Sequence, residues 1–254
     1  ARLDQLTTQS STLTQQISDA GNLKSLMTSL SSSLGTRVRA GDLSAQPVIG
    51  NGAVASASLS GNAVASGTYS LEVSRMAANQ VLAGPAYASA SSTVGAGTLT
   101  LRFGTASGAT FTQDSGHAPV AVGIAAGASL SDVAQAINAA GAGVSAYVAN
   151  GANGAQLVLK GAQGAANGFV VDASEDPANP GLAALGWSPA SDAGQLVHAA
   201  SDAALSIDGV AMTSASNTLT DAIPGVTLNL AGTNAGSPTT VSFSSPTAAI
   251  TSAM

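Results

Sequence analysis

The spacing of apolar residues divides the chain near residue 45. From Ala1 to Leu34, Leu3, Leu6, Leu13, Ile17, Ala20, Met27 and Leu34 recur at three- and four-residue intervals, interrupted by Ser10, Lys24 and Ser31. This period predicts a helix. Leu23, Leu26 and Leu30 begin a second stripe past Gly21, so the register shifts there, as a stutter or kink would make it. A stripe this long asks for a partner helix, yet no comparable helical pattern follows. The partner is expected from a segment beyond this chain, from another chain, or from both. The segment is therefore read as a coiled-coil-like leg, against the alternative of an amphipathic helix packed on its own domain. Gly35 to Pro47 reads as a connector, with Gly35, Gly41 and Pro47 as breakers.

From Val48 the period changes to two. Between Gly67 and Ala77, Tyr69, Leu71 and Val73 alternate with Ser70, Glu72 and Ser74, which predicts a half-buried strand. Leu82 to Val94, around Gly84-Pro85, reads as a loop of small residues. Thr98 to Phe103 predicts a strand with Leu99, Leu101 and Phe103 inward, and Gly104 to Gly127 an irregular or hairpin-like stretch. Ser129-Leu130-Ser131-Asp132 has the form of a helix capping box, with Leu130, Val133, Ala134 and Ile137 on the buried face and Gly141 as terminator. Val144, Ala146 and Val148 predict a strand, Asn150-Gly151 and Asn153-Gly154 a turn, and Leu157 and Leu159 the return strand. Asp172 to Pro189 reads as a loop that carries the single tryptophan, Trp187.

The most sharply patterned stretch is Ala203 to Phe243. Leu205 and Ile207 lead into Asp208-Gly209, a dipeptide suited to a type I′ turn, which needs positive φ at both central positions. Pro224-Gly225 is a second turn, followed by Val226, Leu228 and Leu230 alternating with Thr227 and Asn229. Val241 and Phe243 repeat the pattern. The fold class is α+β, mainly β: an N-terminal coiled-coil-like helical leg plus two small β-rich head domains, the second inserted in the first. The expected division is 1–44 leg and connector, 45–95 with 197–245 first head domain, 96–196 inserted second head domain, and 246–254 the start of a C-terminal leg.

Composition narrows the function. Of 254 residues, 8% are charged and 3% aromatic, with 29 Gly and 9 Pro, which suits short strands and frequent turns better than a conventional enzyme core. The net charge of −6 argues against nucleic acid and against an anionic membrane surface, both of which select basic faces. No apolar run reaches the roughly 18 residues that a membrane-spanning helix needs. Cysteine is absent, which removes disulfides, thiolate metal sites and a cysteine nucleophile. No signal peptide is evident, and the chain opens inside a helical pattern, as a piece of a longer protein would.

The search for chemistry yields little. His117 lies near Asp114 and Ser115 in a Gly-rich stretch, but neighbours in sequence rarely supply triad geometry with an oxyanion hole. His198 has no second histidine at ligand spacing. Asp172, Glu175 and Asp176 lack the spacing of a calcium loop and read as a solvated turn. No phosphate-binding loop or nucleophile elbow occurs; Gly161 and Gly164, after Lys160, read as turn glycines. Arg37 and Arg39 are read as interacting with the negative end of the first helix, with an acidic partner as the alternative. The chain is thus expected to have no catalytic, metal or cofactor site and not to be an enzyme.

The phrases themselves carry a resemblance. "IDGV" with "SNTLTDAIPGVTLNL", the strand "GTYSLEV", and the N-terminal Gln16-Ile17-Ser18 and Gly21-Asn22-Leu23-Lys24-Ser25-Leu26 resemble the filament-capping (FliD) family of flagellar hook-associated proteins. "LSDVAQAINAAGAGVSAYV" with "GAQLVLKG" is similar to the short module of flagellins and hook-associated proteins. The resemblance implies a structural cap at the distal tip of a bacterial flagellum, extracellular and exported without a cleaved signal peptide. It implies a ring of about four to six copies that retains exported flagellin and promotes its folding and insertion. Flagellin and further copies of the chain are the implied partners, with hook-associated junction proteins and an export chaperone reached through segments outside this chain. Leu23, Leu26, Met27, Leu30 and Leu34 are the candidate leg-packing or filament-contact residues. The alternative is an extracellular adhesin or glycan-binding β-module, for which Tyr87 and Trp187 are the candidate surface residues. A hook–filament junction protein is disfavoured by the capping-type phrases, and a polysaccharide enzyme by the lack of a motif-flagged carboxylate pair.

Overall fold

The structure, a computed structural model, describes residues 2–40, 45–60 and 66–244, without the side chains of 37–40. Helix α1 (Arg2–Ala40) is uninterrupted. It passes through Gly21 without a break and through Gly35, where the sequence suggested a stop. Glycine costs a helix interior only about 1 kcal/mol, and no proline forces termination before Pro47. The hydroxyls of Thr7, Thr8, Thr12, Thr14, Thr28 and Thr36 each donate to the carbonyl four residues back, so these poor helix formers are satisfied within the helix. The rest of the connector at Gly41 to Ser44, the Arg37 and Arg39 side chains, and the return leg from Pro246 to Met254 lie outside the described residues.

Strands β1 (Gln46–Ile49), β2 (Ala55–Leu59) and β3 (Thr68–Arg75) follow. The middle of the chain forms β4 (Asn79–Tyr87), β5 (Gly97–Ser107), β6 (Thr110–Gln113), β7 (Val120–Ile124), α2 (Leu130–Ala139), β8 (Ser145–Gly151), β9 (Gly154–Gln163), β10 (Gly168–Glu175) and β11 (Leu196–His198). Then come β12 (Ala203–Ile207), β13 (Val210–Ser214), β14 (Thr218–Ile223), β15 (Val226–Leu230) and β16 (Thr239–Ser244).

One core is built from both ends of the β region. A five-stranded sheet, β1-β16-β3-β12-β13, and a three-stranded sheet, β14-β15-β2, bury Leu71, Val73, Leu205, Val226, Leu228 and Val241. The alternation of β3 is as the sequence indicated, with Leu71 and Val73 buried and Ser70 and Ser74 exposed. Asp208 (φ 50°) and Gly209 (φ 80°) join β12 to β13 with the two positive φ values of a type I′ turn. Gly225 (φ 74°) completes the turn before β15.

A second core lies within the first unit's sequence. Sheet β10-β5-β6, with β7 also on β5, and sheet β11-β4-β9-β8 enclose Leu101, Phe103, Leu157, Phe169 and Trp187 together with Leu130, Val133 and Ile137 of α2. The capping box forms as expected. Ser129 Oγ accepts from Asp132 N–H at 3.2 Å, while Asp132 Oδ2 accepts from Ser129 N–H at 2.8 Å. The Ser129 N–H and then its hydroxyl, both donating to Asp132 Oδ2, hold this carboxyl below its ordinary range.

Three local expectations change. Asn79–Tyr87 is a strand on β9, not a loop, and Leu82 and Val94 belong to the second core. Pro85 is tolerated because the register slips between Ala83 and Ala86, where the missing N–H breaks no ladder. Asp172 to Glu175 extend β10 along β5, with Asp172 and Ser174 on the exposed face. Gly161 lies within β9, where an added Cβ would come 3.1 Å from the Phe169 ring.

Side-chain amides close the ladders where strand pairing ends. Buried Gln80 accepts from Phe169 N–H (3.0 Å) and donates to Phe169 C=O (2.7 Å), tying β4 to β10 across the second core. Asn217 does the same for Ala77 (2.8 and 3.0 Å), and Asn138 for Ala146 on β8 (2.8 and 2.7 Å). Asn234 accepts from Val73 N–H and donates to Leu71 C=O. The two cores meet where Ala78 and Ser201 form an antiparallel bridge, Asp202 accepts from Ala165 N–H at 2.7 Å, and Gly164 packs on Ala215.

Trp187 is 3% exposed, and its Nε1–H donates to Asp192 Oδ1 at 3.0 Å. The same oxygen accepts the N–H groups of Gly194, Gln195 and Leu196. The indole bond and then these backbone donors hold the Asp192 carboxyl below the ordinary aspartate value.

Two measurements follow from this packing. Gln80→Leu leaves a buried N–H and C=O of Phe169 unpaired, so it is expected to cost about 3 kcal/mol in urea unfolding followed by Trp187 emission. Gln156→Leu, which loses one half-buried bond to Gly84 C=O, is expected to cost about 1 kcal/mol. A carboxyl depressed in the folded state stabilises above its unfolded value and loses that contribution as pH falls through the folded one. Asp192→Asn is therefore expected to be less stable than wild type at neutral pH, with the gap narrowing below about pH 3.8. An unchanged gap on acid titration would contradict this account of the loop.

Candidate functional site

Helix α1 presents what its own fold does not use. Its 39 residues span roughly 58 Å at 1.5 Å per residue. Leu23, Leu26, Met27, Leu30 and Leu34 share one face, each three or four residues from at least one other, with Leu26 and Met27 side by side. Leu26 and Met27 are 68% and 64% exposed, Leu23 and Leu30 are exposed, and Leu34 is half-buried. Upstream, Leu3, Leu6, Leu13 and Ile17 are also exposed. None of these side chains belongs to either core. A Ser- and Thr-rich helix with an internal glycine draws little stability from intrinsic propensity, so its apolar face must be covered to hold it firmly. The arrangement is an exposed apolar face that neither core of the chain covers.

The head holds the remaining candidates, and it disperses them. Trp187, expected at a surface, is a core side chain whose indole N–H is already bonded to Asp192. Tyr87 is half-buried against the same core, and burial pushes its phenol up from the ordinary value. His117 stacks on Phe103 with ring centroids 4.1 Å apart, covering the edge of the core, and His198 sits at a bulge of β11. Asp172 is paired with Arg102, whose terminal nitrogen donates to Oδ1 at 3.1 Å. Glu175 Oε2 accepts from Gly181 and Ala183 N–H at 2.6 and 3.0 Å, and Asp176 accepts from Ala178 N–H and Asn179 Nδ2. These bonds hold both carboxyls below their ordinary values, so they remain charged into acid. Asp172 is thus engaged across the β10-β5 ladder and Glu175 and Asp176 in their own turns, and no metal-ligating group of three side chains gathers among the described residues.

The sequence reading passed over Tyr147 and Lys160. Both lie on the outer face of the β11-β4-β9-β8 sheet, and the signal was the alternation Gln156, Val158, Lys160 against Leu157 and Leu159.

Comparison with known proteins gives this architecture a family. Residues 1–80 match the family model described as flagellar hook-associated protein 2 N-terminus, and residues 200–254 that of its C-terminus. Residues 98–163, the β5-to-β9 stretch with α2, match the flagellin hook IN motif. Flagellar hook-associated protein 2 of Escherichia coli K12 is 31% identical over 224 residues, covering 87% of this chain and 46% of that one. The B-type flagellar hook-associated protein 2 of Pseudomonas aeruginosa is 30% identical over 259 residues, covering 96% and 52%. The chain thus spans about half the length of these curated relatives. Among solved structures, the D1-D2-D3 domains of the flagellar cap protein FliD from Escherichia coli superpose with a TM-score of 0.66 at 27% identity, covering 91% of this chain and 68% of that one. FliD (HAP2) from Pseudomonas aeruginosa superposes at 0.61 and 27% identity, covering 75% and 84%. With both ends matching one family in order, that motif between them and that fold throughout, the chain belongs to the flagellar hook-associated protein 2, or FliD, family.

Proposed function

We propose that this chain supplies leg and head to a flagellar filament cap, a structural ring at the distal, extracellular tip that retains exported flagellin and promotes its folding and insertion. The observation that carries this reading is α1: a helix of 39 residues whose large apolar side chains face solvent and join neither core of the chain. Such a helix is a leg awaiting partners, and Leu23, Leu26, Met27, Leu30 and Leu34 are the residues assigned to contact them. The action is steric. The heads, two units meeting at Ala78 and Ser201, form the plate, and the legs reach the filament. Ring closure follows from repeating one head-to-tail contact. The adhesive reading drew on Trp187, which is buried, and Tyr87, which is half-buried against the same core, and neither forms an exposed aromatic platform.

Cells lacking the gene are expected to release monomeric flagellin into the medium and to carry short filaments, with the wild-type gene reversing both. Normal filaments without leakage would overturn the cap reading. A Leu23→Ser, Leu26→Ser, Met27→Ser variant is expected to keep the buried emission of Trp187 yet to fail in complementation, because it alters only the exposed face of the leg.

A further inference from the structure

We propose that the open edge of β13 receives, as an added strand, an extended segment of a flagellin subunit that has not yet folded. β13 ends the five-stranded sheet and follows β12 in unbroken register. The two-residue turn at Asp208-Gly209 makes Ile207 and Val210 the first bonded pair, so Met212 and Ser214 also bond to β12. Asp208 N–H points the other way and donates to Ser70 C=O at 2.9 Å, as this alternation requires. Ala211 and Thr213 therefore turn their N–H and C=O groups outward, where among the described residues no strand meets them. Other edges are guarded. Pro47 presents no N–H on the outer edge of β1, Asp221 (φ 64°) sets a bulge and a carboxylate in β14, and the Asn138 amide occupies Ala146 on β8. β13 has no charge, no proline and no bulge.

The side chains identify the occupant. On the inner face one row crosses the sheet through Leu71, Ile207 and Val210, and burial fails along it: Leu71 and Ile207 are 0% and 7% exposed, Val210 65%. The next row runs Val73, Leu205, Met212, with Met212 only partly covered. A further strand with apolar residues at alternate positions continues both rows and covers Val210. On the outer face Ser74, Ala204, Ser206, Ala211 and Thr213 floor a trough of about 430 Å3. Their small side chains make no demand of size or charge on an added strand. Such an edge is read by backbone, and a folded subunit has its own backbone groups paired. The occupant is thus an unfolded chain with period-two apolar residues. The cap reading, on which this inference rests, brings such chains to the head as exported flagellin. A second β13 would pair only across a two-fold axis, which closes a dimer and not a ring.

The test uses the full-length protein and short synthetic peptides that tile the flagellin of the same cells. Binding is read by fluorescence anisotropy, and the edge by hydrogen exchange with mass spectrometry. Peptides with alternating apolar residues are expected to bind and to slow exchange in β13, while folded flagellin monomer competes poorly. Ala211→Pro removes an outward N–H that β12 does not use, and Thr213→Lys sets a charge on the edge without altering the backbone. Each is expected to weaken peptide binding about tenfold while exchange in β3 stays as slow as in wild type. The proposal is overturned if no peptide binds, if a variant that keeps its β3 exchange binds as wild type does, or if binding leaves β13 unprotected. It is also overturned if folded flagellin competes as well as peptide, or if raising the protein concentration alone protects β13, which would give the edge to a second copy. Where the edge assignment fails but the wild-type gene stops flagellin loss, the cap reading stands. Where the wild-type gene does not stop that loss, the cap reading falls, and the flagellin assignment with it.

Discussion

The pairing of the Gln80 amide with both backbone groups of Phe169 is the contact on which the second unit turns. Both residues are fully buried, and the amide joins two sheets whose inner faces are lined by apolar side chains. Short strands make this problem general. Each ladder stops after a few residues, and the next N–H and C=O must be satisfied or the ending is costly. Asn217, Asn234 and Asn138 solve it in the same way, each amide standing in for one residue of a missing strand. A chain with few charges and few aromatics thereby holds two cores, because neutral amides complete the backbone pairing at the ends of its sheets.

Leg and head divide the two requirements of folding between them. Along α1 every interior backbone group is satisfied by the helix and even the threonine hydroxyls bond inward, but the apolar side chains have nowhere to go. In the head two clusters of apolar side chains are buried to within a few per cent, while the backbone needs help from side chains where ladders end. Carboxylates follow the same logic. Asp132, Glu175, Asp176 and Asp192 each cap a turn or helix of their own chain, so the acidity of the head is a by-product of loop construction that leaves its exterior negative.

Much of this was legible in residues whose meaning is local. Period-two runs placed β3, β5, β9 and β15. Asp208-Gly209 named its turn because few other pairs accept positive φ twice, and Ser129 with Asp132 named the start of α2. What escaped depended on distant partners. Gly84 and Pro85 look like a loop until β9, more than 70 residues on, is laid beside them. Trp187 in a Pro-rich stretch looks exposed until Asp192 is seen to hold its N–H.

The junction of the two units has a mechanical consequence. A single covalent crossing would act as a swivel, free to twist. Here the outgoing strand at Ala78 and the returning one at Ser201 are bonded side by side, and Asp202 and Gly164 brace the same line against Ala165 and Ala215. Two bonded crossings resist torsion and leave bending across their shared plane as the soft direction. Push applied to one unit therefore arrives at the other as a lever stroke with a defined axis.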